Sequence, residues 1–205
     1  MTIETTSYDS VIIYFEQIIS EEVLDKVQAT YKVLQELEGI IDITPSYSSI
    51  LIIYDIFTYN DKSIKKAITK IVSNPVGLAS ADEKKSKLIN IPTNYKNNLD
   101  LQRVATHNNL SIDEVINLHT QTTYRVYTIG FMVGFAYLAT LNEKISTPRL
   151  ETPRKKVPKG SVAIADRQTA IYPQDSAGGW NIIGMTEFNH FDKFSVGDSV
   201  RFVSL

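Results

Sequence analysis

The chain has 205 residues, no cysteine, and 21 Lys and Arg against 23 Asp and Glu, for a formal net charge of −2. The lack of cysteine excludes disulfides, thiolate catalysis and every cysteine-ligated metal, and the charge balance lacks the basic surplus that draws a whole protein onto nucleic acid. Hydrophobic residues at 43% and charged residues at 21% are an ordinary globular mix with material for a sizeable core. No apolar run approaches the roughly 20 residues of a membrane-spanning helix. The N-terminal MTIETTSYDS lacks the basic and then apolar pattern of a signal peptide. A cytoplasmic protein with no membrane partner is the expectation.

In chain order, apolar runs at 11–15 (VIIYF) and 50–54 (ILIIY) read as strands. Between them Ser20 can cap a helix with Glu21 and Glu22 in its first turn, where carboxylates oppose the positive end of the dipole. Val23, Leu24, Val27, Tyr31 and Leu34 follow at helical spacing, and Gly39 supplies a stop. A second helix is expected at 62–72, burying Ile64, Ala67, Ile68 and Ile71. These elements describe a small α+β unit of βαβ type. Periodicity then fails across 73–87, which holds a Pro, a Gly and small or charged residues and reads as a linker. The expected domains are 1–80 and 81–205.

The second part opens with a strand at 88–91 stopped by Pro92. Helices follow at 99–106 and from Ser111, where Ser-Ile-Asp-Glu places Glu114 to close a capping box. Short strand candidates at 124–131, 161–165, 169–172, 180–186 and 199–203 are punctuated by Gly, Pro, Asp and Asn. That pattern predicts a β-barrel or sandwich.

Several residues carry two readings. His119 ends the capped helix and is either a capping or packing residue or an acid–base group facing a cleft. Pro148, Pro153 and Pro158 are interleaved with Arg149, Arg154, Lys155, Lys156 and Lys159. This stretch is either a solvated basic loop or a site for a carboxylate, a phosphate or an acidic partner. Gly130, Gly134, Gly160, Gly178 and Gly179 permit bends or close approach of a ligand or partner. Trp180 is a core residue or an interface anchor. Phe131, Phe135, Tyr137 and Tyr172 form an aromatic set that is mostly core, any exposed member suiting docking of another protein. No phosphate-binding loop, dinucleotide fingerprint, nucleophile elbow or zinc signature occurs. His107 and His190 do not pair with His119 at ligand spacing, so no bound metal is expected.

Three blocks are more specific: HTQTTYRVYTIGFMVGFAYL (119–138), TPRLETPRKKVPKGSVAIA (147–165) and QTAIYPQDSAGGWNIIGMT (168–186). With GDSVRF at 197–202, they resemble the family that holds KipI, the B-type subunit of 5-oxoprolinase and the first subunit of allophanate hydrolase. The resemblance implies an N-terminal α+β domain followed by a cyclophilin-like β-barrel of carboxyltransferase type. It also implies a protein that works with partners: a KipA-like, C-type subunit of 5-oxoprolinase and an A-type subunit of the LamB/YcsF kind, together converting 5-oxoproline to glutamate. ATP would be used by the assembled complex, with no cofactor on this chain alone. Other members imply two alternatives, an inhibitor of histidine kinase autophosphorylation and an allophanate hydrolase or urea carboxylase-like component. By resemblance His119, Arg149, Arg154 and Gln168 would be the catalytic candidates, lining a shared cleft with Trp180, which also counts among the interface residues. Phe131, Gly134, Phe135, Tyr137, Tyr172, Gly178 and Gly179 would lie at the interface. The chain departs from the family pattern at Val133 and Ala177, where prolines are usual, at Asp166-Arg167, and at Met185, where arginine is frequent.

Overall fold

A computed structural model describes residues 1–73, 87–96 and 99–205, so nearly all of the expected linker lies outside the described residues. The chain forms two compact units, Met1–Lys85 and Ser86–Leu205.

The first unit comprises β1 (Thr2–Ser7), β2 (Ser10–Tyr14), α1 (Glu21–Leu34), β3 (Ile40–Pro45), β4 (Ser49–Tyr54) and α2 (Asp61–Val72). Ser20 caps α1 by accepting the Val23 amide, and Asn60 with Ser63 closes a capping box on α2. Alternate residues of β2 and β4 (Val11, Ile13, Ile50, Ile52 and Tyr54) are buried against Val23, Val27, Ile64 and Ile68 of the helices. The sheet order is β1-β2-β4-β3, and every pairing is antiparallel. This corrects the expected βαβ unit. β3 intervenes after α1, so β4 returns antiparallel to β2 instead of following the helix into a parallel pairing.

The second unit begins with β5 (Leu88–Thr93), α3 (Leu101–His107), α4 (Ile112–Gln121), β6 (Thr123–Ile129) and β7 (Ala136–Ala139). It continues through β8 (Arg154–Val157), β9 (Ser161–Ala165), β10 (Gln168–Ile171), β11 (Ser176–Gly178), β12 (Asn181–Met185) and β13 (Ser199–Ser204). Seven strands run in the order β12-β9-β10-β7-β6-β13-β5, with β13 and β5 parallel. An antiparallel bridge between Asn94 and Met185, with N–H···O distances of 2.8 and 2.9 Å, joins the two ends into a nearly closed barrel. β8 and β11 form a separate ribbon that includes Arg154, Lys155 and Lys156 of the basic stretch.

The five residues of β9 are all buried, and their alternation divides the core. Val162 and Ile164 join a cluster with Leu101, Val104, Val115, Tyr124 and Leu138 under the helices. Ala163 and Ala165 face a second cluster of Phe135, Tyr172, Trp180 and Ile182, where their small side chains sit among bulky rings.

At the start of α4, Ser111 Oγ accepts from the Glu114 amide while Glu114 accepts from the Ser111 amide at 2.8 Å. Removing one half of this box by Ser111→Ala is expected to cost about 1 kcal/mol. In a domain of this size thermal unfolding then moves down by roughly 2–4 °C. An unchanged midpoint would show that the box contributes nothing here.

Candidate functional site

His119 lies on the inward face of α4 and is 0% exposed. Its Nδ1 is 2.7 Å from the Tyr95 hydroxyl and its Nε2 is 2.9 Å from the Thr169 hydroxyl. Thr169 gives its own proton to the Ala163 carbonyl, so it must accept from Nε2–H, which leaves Nδ1 to accept from Tyr95. The ring also packs on Phe202, at a centroid distance of 4.5 Å. Burial lowers its pKa to about 3. The protonated form that a helix C-terminus favours therefore loses to desolvation, and the imidazole is a neutral member of the core. Burial likewise raises the pKa of Tyr95 and Tyr124. Gln168 opens β10, half-buried and opposite Ala165.

The arginines and aromatics meet elsewhere. Arg149 is exposed, with its guanidinium carbon 5.7 Å from the centre of the Trp180 ring. It makes no hydrogen bond or ion pair among the described residues, so its donors are unspent. Trp180 is 5% exposed and meets Phe135 and Tyr137 edge-on, both at 5.9 Å. Phe135 stacks in turn on Tyr172 at 5.3 Å. Burial raises the pKa of Tyr137 and Tyr172, and the positive charge of Arg149 opposes the rise in both. Gly178 is packed so closely on the Tyr172 hydroxyl that a β-carbon there would collide with it. Gly179 lies beside Pro153.

From this face the aromatic set continues outward. Phe131 is 62% exposed, stacks edge-on against Phe135 at 5.4 Å, and shares its turn with Gly134 and with Val133, which is 96% exposed. The usual proline position at Val133 thus carries an apolar side chain standing in water. Ala177, the second such position, is exposed on β11. Met185 instead lines a groove of ≈ 720 Å³ with Lys159, Glu187, Phe188 and His190. Its sulfur lies 3.5 Å from the Ser161 hydroxyl, whose proton goes to the Pro158 carbonyl at 2.7 Å.

Behind the arginine face lie two residues outside the three sequence blocks. Asp100, 4% exposed at the start of α3, accepts from Arg154 Nη2 at 2.6 Å and from the Ile182 amide at 2.7 Å. Arg154 Nη1 remains buried without a hydrogen-bond partner among the described residues. Arg103 Nη1 donates to Asn181 Oδ1 and, at 3.4 Å, to the Pro148 carbonyl. An aspartate beginning a helix reads locally as an ordinary cap. That it reaches a strand 82 residues onward is invisible in the sequence. Among the described residues no group of three or more His, Asp or Glu is arranged to hold a metal, and no helix is long and apolar enough to cross a membrane.

The nearly closed barrel with its separate ribbon goes with a domain of carboxyltransferase type. Residues 1–199 match the family model for the carboxyltransferase domain, subdomains C and D, and the chain belongs to that family. It is similar to the B-type subunit of 5-oxoprolinase from Bacillus subtilis, being 31% identical across 99% of this chain and 92% of that protein. The crystal structure of TTHA0988 superposes with a TM-score of 0.81 at 29% identity; the match covers 97% of this chain but 40% of that longer one. Urea amidolyase of K. lactis shares the fold, with a TM-score of 0.74 at 16% identity, over 96% of this chain and 14% of its own.

Proposed function

We propose that this chain is the B-type subunit of an ATP-dependent 5-oxoprolinase, a cytosolic assembly in which it contributes one wall of a composite site. The observation that carries the reading is the end-to-end likeness to the Bacillus subtilis protein of that name. The chemistry of the Arg149–Trp180 face supports it. A guanidinium held over an indole, with its donors unspent, suits the carboxylate of 5-oxoproline. The exposed Phe131 and Val133 beside it suit docking of a KipA-like, C-type partner. The barrel is of the cyclophilin-like type, and ATP is held by the partners, including an A-type protein of the LamB/YcsF kind. His119, walled in by Tyr95, Thr169 and Phe202, serves packing in this scheme.

Co-expression of the three proteins tests the reading. The complex is expected to convert 5-oxoproline to glutamate with consumption of ATP, whereas this chain alone does not. Phe131→Asp combined with Val133→Asp is expected to abolish co-purification of the C-type partner while leaving the far-ultraviolet circular dichroism unchanged. A complete complex that yields no glutamate, or a partner that still binds the double variant, would overturn it.

A further inference from the structure

We propose that Asp100 and Arg103, two residues of one helical turn, are positioning residues that set the Arg149–Trp180 pair. The inference rests on the reading of that face as part of the composite site. Arg149 and Trp180 come from separate segments, and each follows or precedes a residue that α3 grips. Arg103 Nη1 holds the carbonyl of Pro148, next to Arg149, and the side chain of Asn181, next to Trp180. Asn181 is 0% exposed, and its amide nitrogen returns to the same Pro148 carbonyl at 3.0 Å and to the Ile164 carbonyl at 3.2 Å. Both amide hydrogens are therefore committed to carbonyls, which fixes the oxygen toward Arg103.

Asp100 makes the second grip. Its amide donates to the Ile182 carbonyl at 2.9 Å, its Oδ2 takes the Ile182 amide, and its Oδ1 takes Arg154. It stands at the cap position of α3 yet makes no side-chain cap bond there. The carboxylate is spent on holding β12 and the basic ribbon. A further contact, from the Leu150 amide to the Gly179 carbonyl at 2.7 Å, ties the two segments to each other on the far side of the pair. The guanidinium of Arg149 itself is held by none of these bonds. Its place over the indole follows from where the brace puts Pro148 and Asn181.

Trp180 is the single tryptophan of the chain, so its fluorescence reads the pair directly. In the full-length protein, Arg103→Met keeps the aliphatic stem and removes the donors. It is expected to shift the emission and raise acrylamide quenching, with Arg103→Lys lying between it and the parent. Arg149→Met is expected to alter the emission of the parent but to have little further effect in the Arg103→Met background, because the pair is already parted. A purely stabilising role for Arg103 would leave the two effects additive. In the reconstituted complex, a displacement of about 1 Å at this face is expected to lower kcat/KM between about 10- and 100-fold. Unchanged emission in both Arg103→Met and Asp100→Asn, or additive effects, would overturn the proposal. Altered, non-additive emission with full turnover in Arg103→Met and in Trp180→Phe would uphold the brace and defeat the functional reading of the face.

Discussion

Replacing Gly160 with alanine is expected to destabilise the protein by about 3 kcal/mol. Gly160 has φ +82°, a region where a side chain costs roughly 1–2 kcal/mol. A methyl group at this residue would also run into the carbonyl oxygen of Thr186, a main-chain atom that cannot swing aside as a side chain can. Forcing such an overlap adds typically about 1–3 kcal/mol. The position allows little relaxation, because the Gly160 amide donates to Tyr172 at 2.8 Å and its carbonyl accepts from Thr186 at 2.9 Å. Three chain segments therefore meet where β9 begins. Thermal unfolding followed by circular dichroism should show a midpoint roughly 6–12 °C lower, on the scale of about 2–4 °C per kcal/mol for a protein of this length. A fall of less than about 2 °C would mean that the segments part easily and that close approach does not constrain this position.

The second large effect is acid sensitivity centred on His119. In the folded protein its pKa is lowered from 6.5 to about 3 by burial alone, whereas the unfolded chain keeps the ordinary value. Well above pH 6.5 both states hold the ring neutral, and this residue adds no pH dependence. As pH falls below 6.5 the unfolded state takes up a proton that the folded state refuses, so stability declines. The slope approaches about 1.4 kcal/mol per pH unit and persists until the folded protein also protonates near pH 3. Urea unfolding between pH 7 and pH 5 isolates this contribution, because most carboxylates remain ionised there. His119→Gln should be less stable at pH 7, since it cannot satisfy both Tyr95 and Thr169 in the same geometry, yet it should lose the acid slope. An identical slope in the variant would exclude His119 as its source.

What could be read from the chain was set by how locally each feature is determined. The helix beginning at Ser111 was legible because cap, first turn and apolar spacing lie within ten residues, and α1 was legible for the same reason. β9 was legible as an apolar run and β13 as an alternation of apolar with polar residues. By contrast β1 is TIETTS, exposed along nearly its whole length, and β8 is RKKV, with three charged residues. Neither has an apolar alternation, and each is a strand only because β2 and β11 supply its partners. The same limit explains the misread N-terminal unit. β3, IIDITP, has no fully buried residue and carries an aspartate and a proline, and missing it reversed the implied direction of β4. At the candidate site, Arg149, Arg154 and Trp180 stood out through their blocks. Asp100 and Arg103 did not, since their meaning lies in partners 45 to 82 positions away.

The way Asp100 holds Ile182 has a consequence for how another chain can attach. β12 is a terminal strand of the barrel sheet, a place where an incoming segment would ordinarily add itself by main-chain pairing. Here Ile182 offers both its amide and its carbonyl to Asp100, and Met185 offers both of its own to Asn94. The vacant rung positions are thus filled from within, half of them at Ile182 by a carboxylate imitating a neighbouring backbone. Strand addition at Ile182 and Met185 is thereby closed off, and a partner that meets β12 there must read its side chains.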